Sequence, residues 1–301
     1  MQPREKRIVE FWDRKDELSA KNKEYRDFVK GLLSFLLKND LKKGDITSSR
    51  IKNQIRAVII SKEDGIIAGL EELALINPGL KLKFFKKDGD LIKNKEVIVE
   101  IIGNANEILP MERTNLNLLQ RMSGIATLTF DLSRKSGKAR VAATRKTPWG
   151  LMDKKAVIIG GGLSHRLSLN DGIIIKDNHL KLLKYDFGKI IYIYKSTSKR
   201  VEIEVENKEH ALKAAMAIKS ALAKNNKNIF ALMLDKIKPK DIRYIARELK
   251  KSGVYGSILL EASGNINGKN IKNYAHCGAD IISMGCLTNS PKAIDLSQEI
   301  R

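Results

Sequence analysis

Two cysteines in 301 residues, Cys277 and Cys286, are too few for a disulfide framework. Neither belongs to a CxxC pair or a metal-ligand spacing, so a structural zinc is not expected, and both read as small buried thiols. No apolar run approaches the roughly 20 residues that span a bilayer. The first residues, Met1-Gln2-Pro3-Arg4-Glu5-Lys6-Arg7, lack the apolar centre of a signal peptide, and their acidic content argues against a transit peptide. The expectation is a cytoplasmic chain. GxGxxG, Walker A, HExxH and GxSxG patterns are missing too, so dinucleotide, P-loop, zincin and serine-hydrolase readings have no support. The net charge of +21 would suit a polyanion, yet no aromatic-rich basic segment is there to stack on bases. The lysines are spread along the chain, and Lys, Ile and Asn are all abundant. Compositional drift therefore explains the surplus, and nucleic acid is not the expected partner.

What the chain does have is a dense stretch between Thr144 and His179. It reads Thr144-Arg145-Lys146-Thr147, then Gly160-Gly161-Gly162-Leu163-Ser164-His165-Arg166, then Ile173-Ile174-Ile175-Lys176-Asp177-Asn178-His179. Two of the four histidines fall here. Each cationic cluster sits beside an apolar run or a glycine triplet, which a merely solvated face would not require. A pocket for a small, multiply anionic substrate is implied.

The remaining organisation is modular. Helical spacing of Tyr25, Phe28, Val29, Leu32, Leu33 and Leu36 marks an amphipathic helix, followed by a polar turn from Asn39 to Asp45. Between Ile46 and Ile108 short β-rich runs are broken by Asp64-Gly65 and Asp88-Gly89, with a helix from Glu71 to Ile76. A second helix begins near Pro110. Beyond it, short apolar strands each end in a polar or glycine cluster: Arg140–Ala143, Gly172–Ile175, Val201–Val205, Phe230–Leu234, Ser257–Leu260 and Asp280–Met284. Their ends recur every 24–31 residues, the length of a strand and its return helix. Such a series can close as a barrel or stay open as a doubly wound sheet. Functional groups at nearly every strand end favour the barrel, which gathers its site on one face. The predicted domains are an α+β domain over 1–115, an α/β barrel over 116–286 and a tail over 287–301.

Several of these ends carry chemistry. An arginine fork at Arg145 matches a carboxylate or phosphate, and Lys146 adds a point charge. The glycine triplet could let backbone approach a substrate closely. Glu204 and Asp235 occupy equivalent ends; they could hold a magnesium-bound polyphosphate or ribose hydroxyls, or stabilise positive charge on a sugar carbon. Glu202 and Glu206 share a strand face with Glu204, so any of the three could be the active member. Ser263-Gly264-Asn265 and Ser283-Met284-Gly285 offer small residues and exposed backbone N–H groups that suit a phosphate.

With these residues laid out, the chain resembles the quinolinate phosphoribosyltransferase family from Asp40 to Ser297. The resemblance rests on Asp40–Thr47, Glu112–Asn117, Gln120–Thr127, Thr144–Thr147, the glycine triplet with His165-Arg166, Ile175–His179, Val201–Asn207, Leu232–Asp235, Glu261–Gly264 and Leu287-Thr288. It implies an α+β N-terminal domain with an incomplete (β/α) barrel, and a homodimer or larger assembly. It also implies joining of quinolinate to phosphoribosyl pyrophosphate with Mg²⁺, giving nicotinate mononucleotide, pyrophosphate and CO₂. By motif, Arg145, His165, Arg166 and Lys176 would bind quinolinate, and Arg113 would enter from a neighbouring subunit. Lys146, Glu204 and Asp235 would handle the Mg-bound donor, with the metal near Glu204 and Asp235; Ser263, Gly264 and Gly285 would seat the 5′-phosphate. The chain departs from the family at Ala143 (usually Asp), Ser164 (Asn), Lys236 (Asn) and Asn289 (His), and in the loop after Lys146, which reads Thr147-Pro148-Trp149-Gly150 and is shortened before Ala156. Two rival readings are a paralogue acting on another pyridine or serving metal transport, and a basic nucleic-acid-binding protein with a vestigial site.

Overall fold

The computed structural model describes residues 3–195 and 200–301. The chain forms two compact units: Met1–Arg14, Leu132–Arg145 and Leu163–Cys286 make the first, and Lys15–Asp131, Lys146–Gly162 and Leu287–Arg301 the second.

The first unit is built on six strands, Arg140–Ala143, Ile173–Ile175, Arg200–Val205, Ile229–Asp235, Ile258–Ser263 and Ile281–Met284. All pair in parallel, and the first pairs with the last while the other five follow in sequence order. A first strand can reach the last only if the sheet wraps round, so the arrangement is the expected barrel. It is incomplete because the first and second strands do not pair. Leu163 partly fills that gap, bridging to Ala142 through hydrogen bonds with Val141 and Ala143.

Return helices follow from local chemistry. Lys208–Ala223 starts at Asn207, whose side chain accepts the His210 N–H, and buries Ala211, Ala214, Ala215 and Ile218 on one stripe. Pro239–Lys251 begins with proline at its first turn and buries Ile242, Ile245, Ala246 and Leu249.

Period-two alternation stacks the barrel's contents. Ala231 shares a strand face with Asp235, Leu259 with Glu261 and Ser263, and Ile281 with Ser283 and Gly285. The apolar members, with Ala142 and Leu163, form a core cluster that receives Ile8, Phe11 and Trp12 from the helix Pro3–Trp12. That helix is tied down by Arg4, which donates to Asp280 and to the carbonyls of Tyr255 and Ile258, and by Arg7, which donates to the carbonyls of Gly256 and Ser257. It therefore plugs the end of the barrel where the strands begin, and the polar strand ends remain for a site.

The second unit carries an antiparallel sheet in the order Leu296–Ile300, Gln54–Ser61, Val97–Asn104, Lys81–Phe84. Helices Lys23–Leu41, Leu70–Ile76, Glu112–Ser133 and Leu151–Ile159 accompany it. Lys23–Leu41 runs through the residues where a turn was expected to start.

The division differs from the predicted 1–115, 116–286 and 287–301. Most of Glu112–Ser133 stays with the α+β unit, where Ser123 and Thr127 bond the main chain of Ala68 and Ile66. Lys146–Gly162 returns to the same unit, and the presumed tail adds an edge strand to its sheet.

The glycine triplet also finds a different explanation. A Cβ on Gly160 would lie 2.3 Å from the Ala126 carbonyl oxygen, and one on Gly162 would crowd Val157 and Thr129. Gly161 has φ +87°. These glycines let a turn pack against the Glu112–Ser133 helix, with no substrate required. Gly160→Ala must push main chain against main chain, so a loss of about 1–3 kcal/mol is expected in urea unfolding; an unchanged midpoint would refute this packing role. Among the described residues, no helix is long and apolar enough to cross a membrane.

Candidate active site

The barrel unit brings together most of the residues singled out from sequence. Arg145 follows the first strand, is exposed, and has no hydrogen-bond or ion-pair partner among the described residues. Arg166 donates through Nη1 to the Gly172 carbonyl at 2.8 Å, while its Nε is buried without an acceptor. Burial, and then the nearby Arg145 guanidinium, hold the Arg166 pKa below its ordinary value. Two neighbouring cations with spare donors form a seat for an anion.

The turn that presents Arg166 is strongly determined. His165 takes φ +55°, and its N–H donates to the Trp12 carbonyl at 2.8 Å. Ser164 donates to that same carbonyl and accepts the Arg14 N–H. Downstream, Asp171 accepts from Leu167 N–H, Arg14 and Arg200, closing the loop on itself. Sequence reasoning missed Asp171, Arg14 and Arg200, whose signal lies in contacts between distant residues.

His165 itself is buried. Its Nε2 lies 2.9 Å from Glu261 and 3.4 Å from Glu202, and its Nδ1 accepts the Arg166 N–H at 2.8 Å. Both ring nitrogens are thus occupied within the protein. Burial disfavours a charged ring, but Glu261 and Glu202 outweigh it and push the His165 pKa up to about 9.

Lys176 is exposed at the end of the second strand, and its N–H donates to His179 Nδ1 at 2.9 Å. His179 therefore caps the short helix Asp177–Leu182. On the next two strands Glu204 and Asp235 are half-buried neighbours. Burial and the Asp235 charge raise the Glu204 pKa, with Lys176 opposing them. Lys236, where the family usually has asparagine, places its ammonium 3.4 Å from Asp235 and 3.7 Å from Glu206. A half-buried carboxylate pair that repels itself, with oxygen donors only, suits a magnesium ion that keeps waters or phosphate oxygens.

Ser263 and Ser283 meet at 3.0 Å between hydroxyl oxygens on adjacent strands. After Ser263 the chain enters two successive left-handed residues, Gly264 and Asn265, rather than a helix. A Cβ at Gly264 would strike the Lys236 main chain at 2.5 Å, so glycine keeps this turn close to the Asp235 strand end. Gly285 does lead directly into a helix, Cys286–Asn289.

Lys146 and Arg113 belong to the second unit. The Lys146 carbonyl accepts the Thr288 hydroxyl proton at 2.8 Å, joining two of the sequence motifs. Thr288 also accepts, through its carbonyl, from Arg121, which forms an ion pair with fully buried Asp153. Arg113 is exposed on the Glu112–Ser133 helix and has no ion-pair partner among the described residues.

Comparison with known proteins covers nearly the whole chain. Residues 45–123 match the quinolinate phosphoribosyl transferase N-terminal domain, and residues 125–299 match the C-terminal domain of the same family. A probable nicotinate-nucleotide pyrophosphorylase (carboxylating) of Methanothermobacter thermautotrophicus is 37% identical over 279 residues, covering 88% of this chain and 96% of the relative. The chloroplastic nicotinate-nucleotide pyrophosphorylase (carboxylating) of Arabidopsis thaliana is 35% identical over 262 residues, covering 82% and 74%. The solved structure of the nicotinate-nucleotide pyrophosphorylase from Francisella tularensis superposes with a TM-score of 0.79 at 32% identity, covering 92% of this chain and 97% of that one.

Proposed function

The chain belongs to the quinolinate phosphoribosyltransferase family, and from that premise we propose how the strand ends of its barrel divide the work. The reaction transfers phosphoribosyl from phosphoribosyl pyrophosphate to quinolinate with decarboxylation, a step of pyridine nucleotide biosynthesis. The observation that carries the assignment of sides is the neighbouring pair Arg145 and Arg166, a cationic seat with an unsatisfied buried donor on Arg166.

In this reading Arg145, Arg166 and Lys176 hold the two quinolinate carboxylates, with Arg113 supplied by a neighbouring subunit of a homodimer or larger assembly. The pyridine nitrogen attacks the ribose C1′ as the pyrophosphate oxygen leaves. Positive charge developing on the sugar is stabilised by Glu204 and Asp235. Ribosylation makes the ring nitrogen cationic, so the electron pair freed when CO₂ departs from C2 is accepted by the ring, and a proton then replaces it. Ser263, Gly264 and Gly285 seat the 5′-phosphate, and Lys146 meets the pyrophosphate. Mg²⁺, when bound at Glu204 and Asp235 together with the donor, supplies charge neutralisation for the leaving pyrophosphate. In this reading the reaction takes place in the cytoplasm.

Incubation with quinolinate, phosphoribosyl pyrophosphate and Mg²⁺ is expected to yield nicotinate mononucleotide, pyrophosphate and CO₂. Folded protein that gives no product across donor concentrations refutes the reading, and equal use of nicotinate would point to a different pyridine substrate. The pH profile adds a sign. Glu204 must be ionised to attract metal and sugar charge, and its pKa is raised. Activity should therefore fall on the acid side at a pH above the ordinary glutamate value of about 4.3. Glu204→Gln should abolish that limb along with most of the rate; an unchanged limb would assign it elsewhere.

A further inference from the structure

Thr147, Pro148, Trp149 and Gly150 are all that separates Lys146 from the helix Leu151–Ile159, and here the chain departs from its family. The reaction as described gives these four residues no task, yet three of them are tied to their surroundings. The Thr147 hydroxyl donates to Asp153 Oδ2. The Trp149 carbonyl accepts the Met152 N–H at 3.2 Å, and the Arg121 guanidinium carbon lies 5.5 Å from the centre of the Trp149 ring. Gly150 takes φ +53°, and a Cβ there would lie 2.9 Å from the Phe28 ring.

Arg121 joins these ties. Its Nε and Nη2 donate to the two oxygens of Asp153 at 2.7 and 2.6 Å, and Nη2 donates again to the Thr288 carbonyl at 2.8 Å. The Asp153 side chain is 0% exposed, so its charge depends on that fork and on Thr147. Thr288 is also fully buried, and its hydroxyl donates to the Lys146 carbonyl at 2.8 Å. The path thus closes as a ring, from Lys146 through Thr147, Asp153, Arg121 and Thr288 back to Lys146. All its members lie in one compact unit. A bidentate fork strongly prefers one geometry, so the ring sets where the Lys146 main chain sits while the residue stays exposed.

Resting on the functional reading above, which gives Lys146 the pyrophosphate, we propose that Arg121 and Asp153 are positioning residues for that lysine. Acting through Thr147 on one side and Thr288 on the other, they fix its main chain and so present its ammonium to the leaving pyrophosphate. A lysine side chain loses much rotamer freedom when it is immobilised, and a fixed base lowers that cost as the donor binds. The effect belongs to the donor half of the reaction and passes through Lys146.

Variants of Thr288 separate this from packing. Thr288→Val keeps the side-chain size and deletes the hydroxyl that holds Lys146. It should lower kcat/KM for phosphoribosyl pyrophosphate by roughly 10- to 100-fold, with the quinolinate KM within about threefold of the parent. Thr288→Ser loses a methyl group but keeps the hydroxyl, so it should recover most of that loss. A side chain that only fills space gives the reverse order, and that result would overturn the proposal. In Lys146→Ala the ring has no ammonium left to present, so adding Thr288→Val should cost no more than about twofold further; fully additive losses would defeat it. Asp153→Asn keeps the shape, removes the charge and should show the same donor-selective loss, and it carries the test should Thr288→Val not fold. A loss confined to quinolinate in that variant counts against the proposal.

A second measurement needs no turnover. The Met152 and Lys154 N–H groups are held by the Trp149 and Gly150 carbonyls. Amide hydrogen exchange across residues 146–154 should be faster in Thr288→Val than in Thr288→Ser, and equal rates refute the ring. Failure of the parent to form nicotinate mononucleotide refutes the functional reading, whereas the exchange rates judge the ring by itself.

Discussion

Replacing Arg145 by alanine is expected to cost about 2–5 kcal/mol of transition-state binding, which is roughly a 30- to 5,000-fold fall in kcat/KM for quinolinate. The magnitude follows from what surrounds the residue. Arg145 has no counter-ion among the described residues, and its charge already depresses the Arg166 pKa. An anion arriving between the two is bound by both forks and relieves their repulsion; removing either leaves a carboxylate half-satisfied in a partly desolvated place. Arg145→Lys should be intermediate, because it keeps the charge and loses the fork. The KM for phosphoribosyl pyrophosphate should move by less than about threefold. A steady-state comparison with each substrate varied in turn decides it, and an unaltered quinolinate KM would remove Arg145 from the substrate's carboxylates.

The second large effect concerns stability. Trp12→Ala should destabilise the protein by about 3–5 kcal/mol, a large share of the 5–15 kcal/mol typical of a folded domain. Trp12 is completely buried and packs with Phe11 and the core cluster under the barrel. Its Nε1–H finds no acceptor among the described residues. Trp12→Phe, which keeps an aromatic ring and deletes that unpaired donor, should therefore cost much less than alanine. The urea midpoint should shift for alanine at an unchanged slope. A midpoint within error of the parent would mean that the N-terminal helix does not seal the barrel.

The same helix shows where sequence reading runs out. Five of the six barrel strands were legible to within a residue at each end, and the one read as Ser257–Leu260 runs on to Ser263, because each is a short apolar run ending in polar residues. The β-rich texture between Ile46 and Ile108 was equally plain, and strands Gln54–Ser61, Lys81–Phe84 and Val97–Asn104 lie in it. Pro3–Trp12 was not, because Ile8, Phe11 and Trp12 are sparse among charged neighbours and their burial depends on a mouth formed by residues 231–281. The final strand, Leu296–Ile300, is polar at its three central positions, Ser297, Gln298 and Glu299, and is recognised only through its pairing with Ala57–Ser61. At the site, charge and strand position brought out Arg145, Arg166, Lys176, Glu204 and Asp235. They could not reveal that His165 turns inward, since the partners that hold it, Glu261 and the Trp12 carbonyl, lie 96 and 153 positions away in the chain. Nor could they tell that the glycine triplet answers to a helix, because its neighbours Ala126 and Thr129 are set by packing.

Order of synthesis gives the barrel plug a further meaning. Arg4 is made 276 positions before Asp280, its partner. While the ribosome works through the strands, Phe11 and Trp12 have nothing to cover. The chain must also pass between its two units four times before the first is complete and a fifth time before the second is. Contacts so distant in sequence slow folding and prolong the exposure of apolar surface. The nascent protein should therefore lean on chaperones until residue 286 has emerged, and release before then should yield an insoluble product.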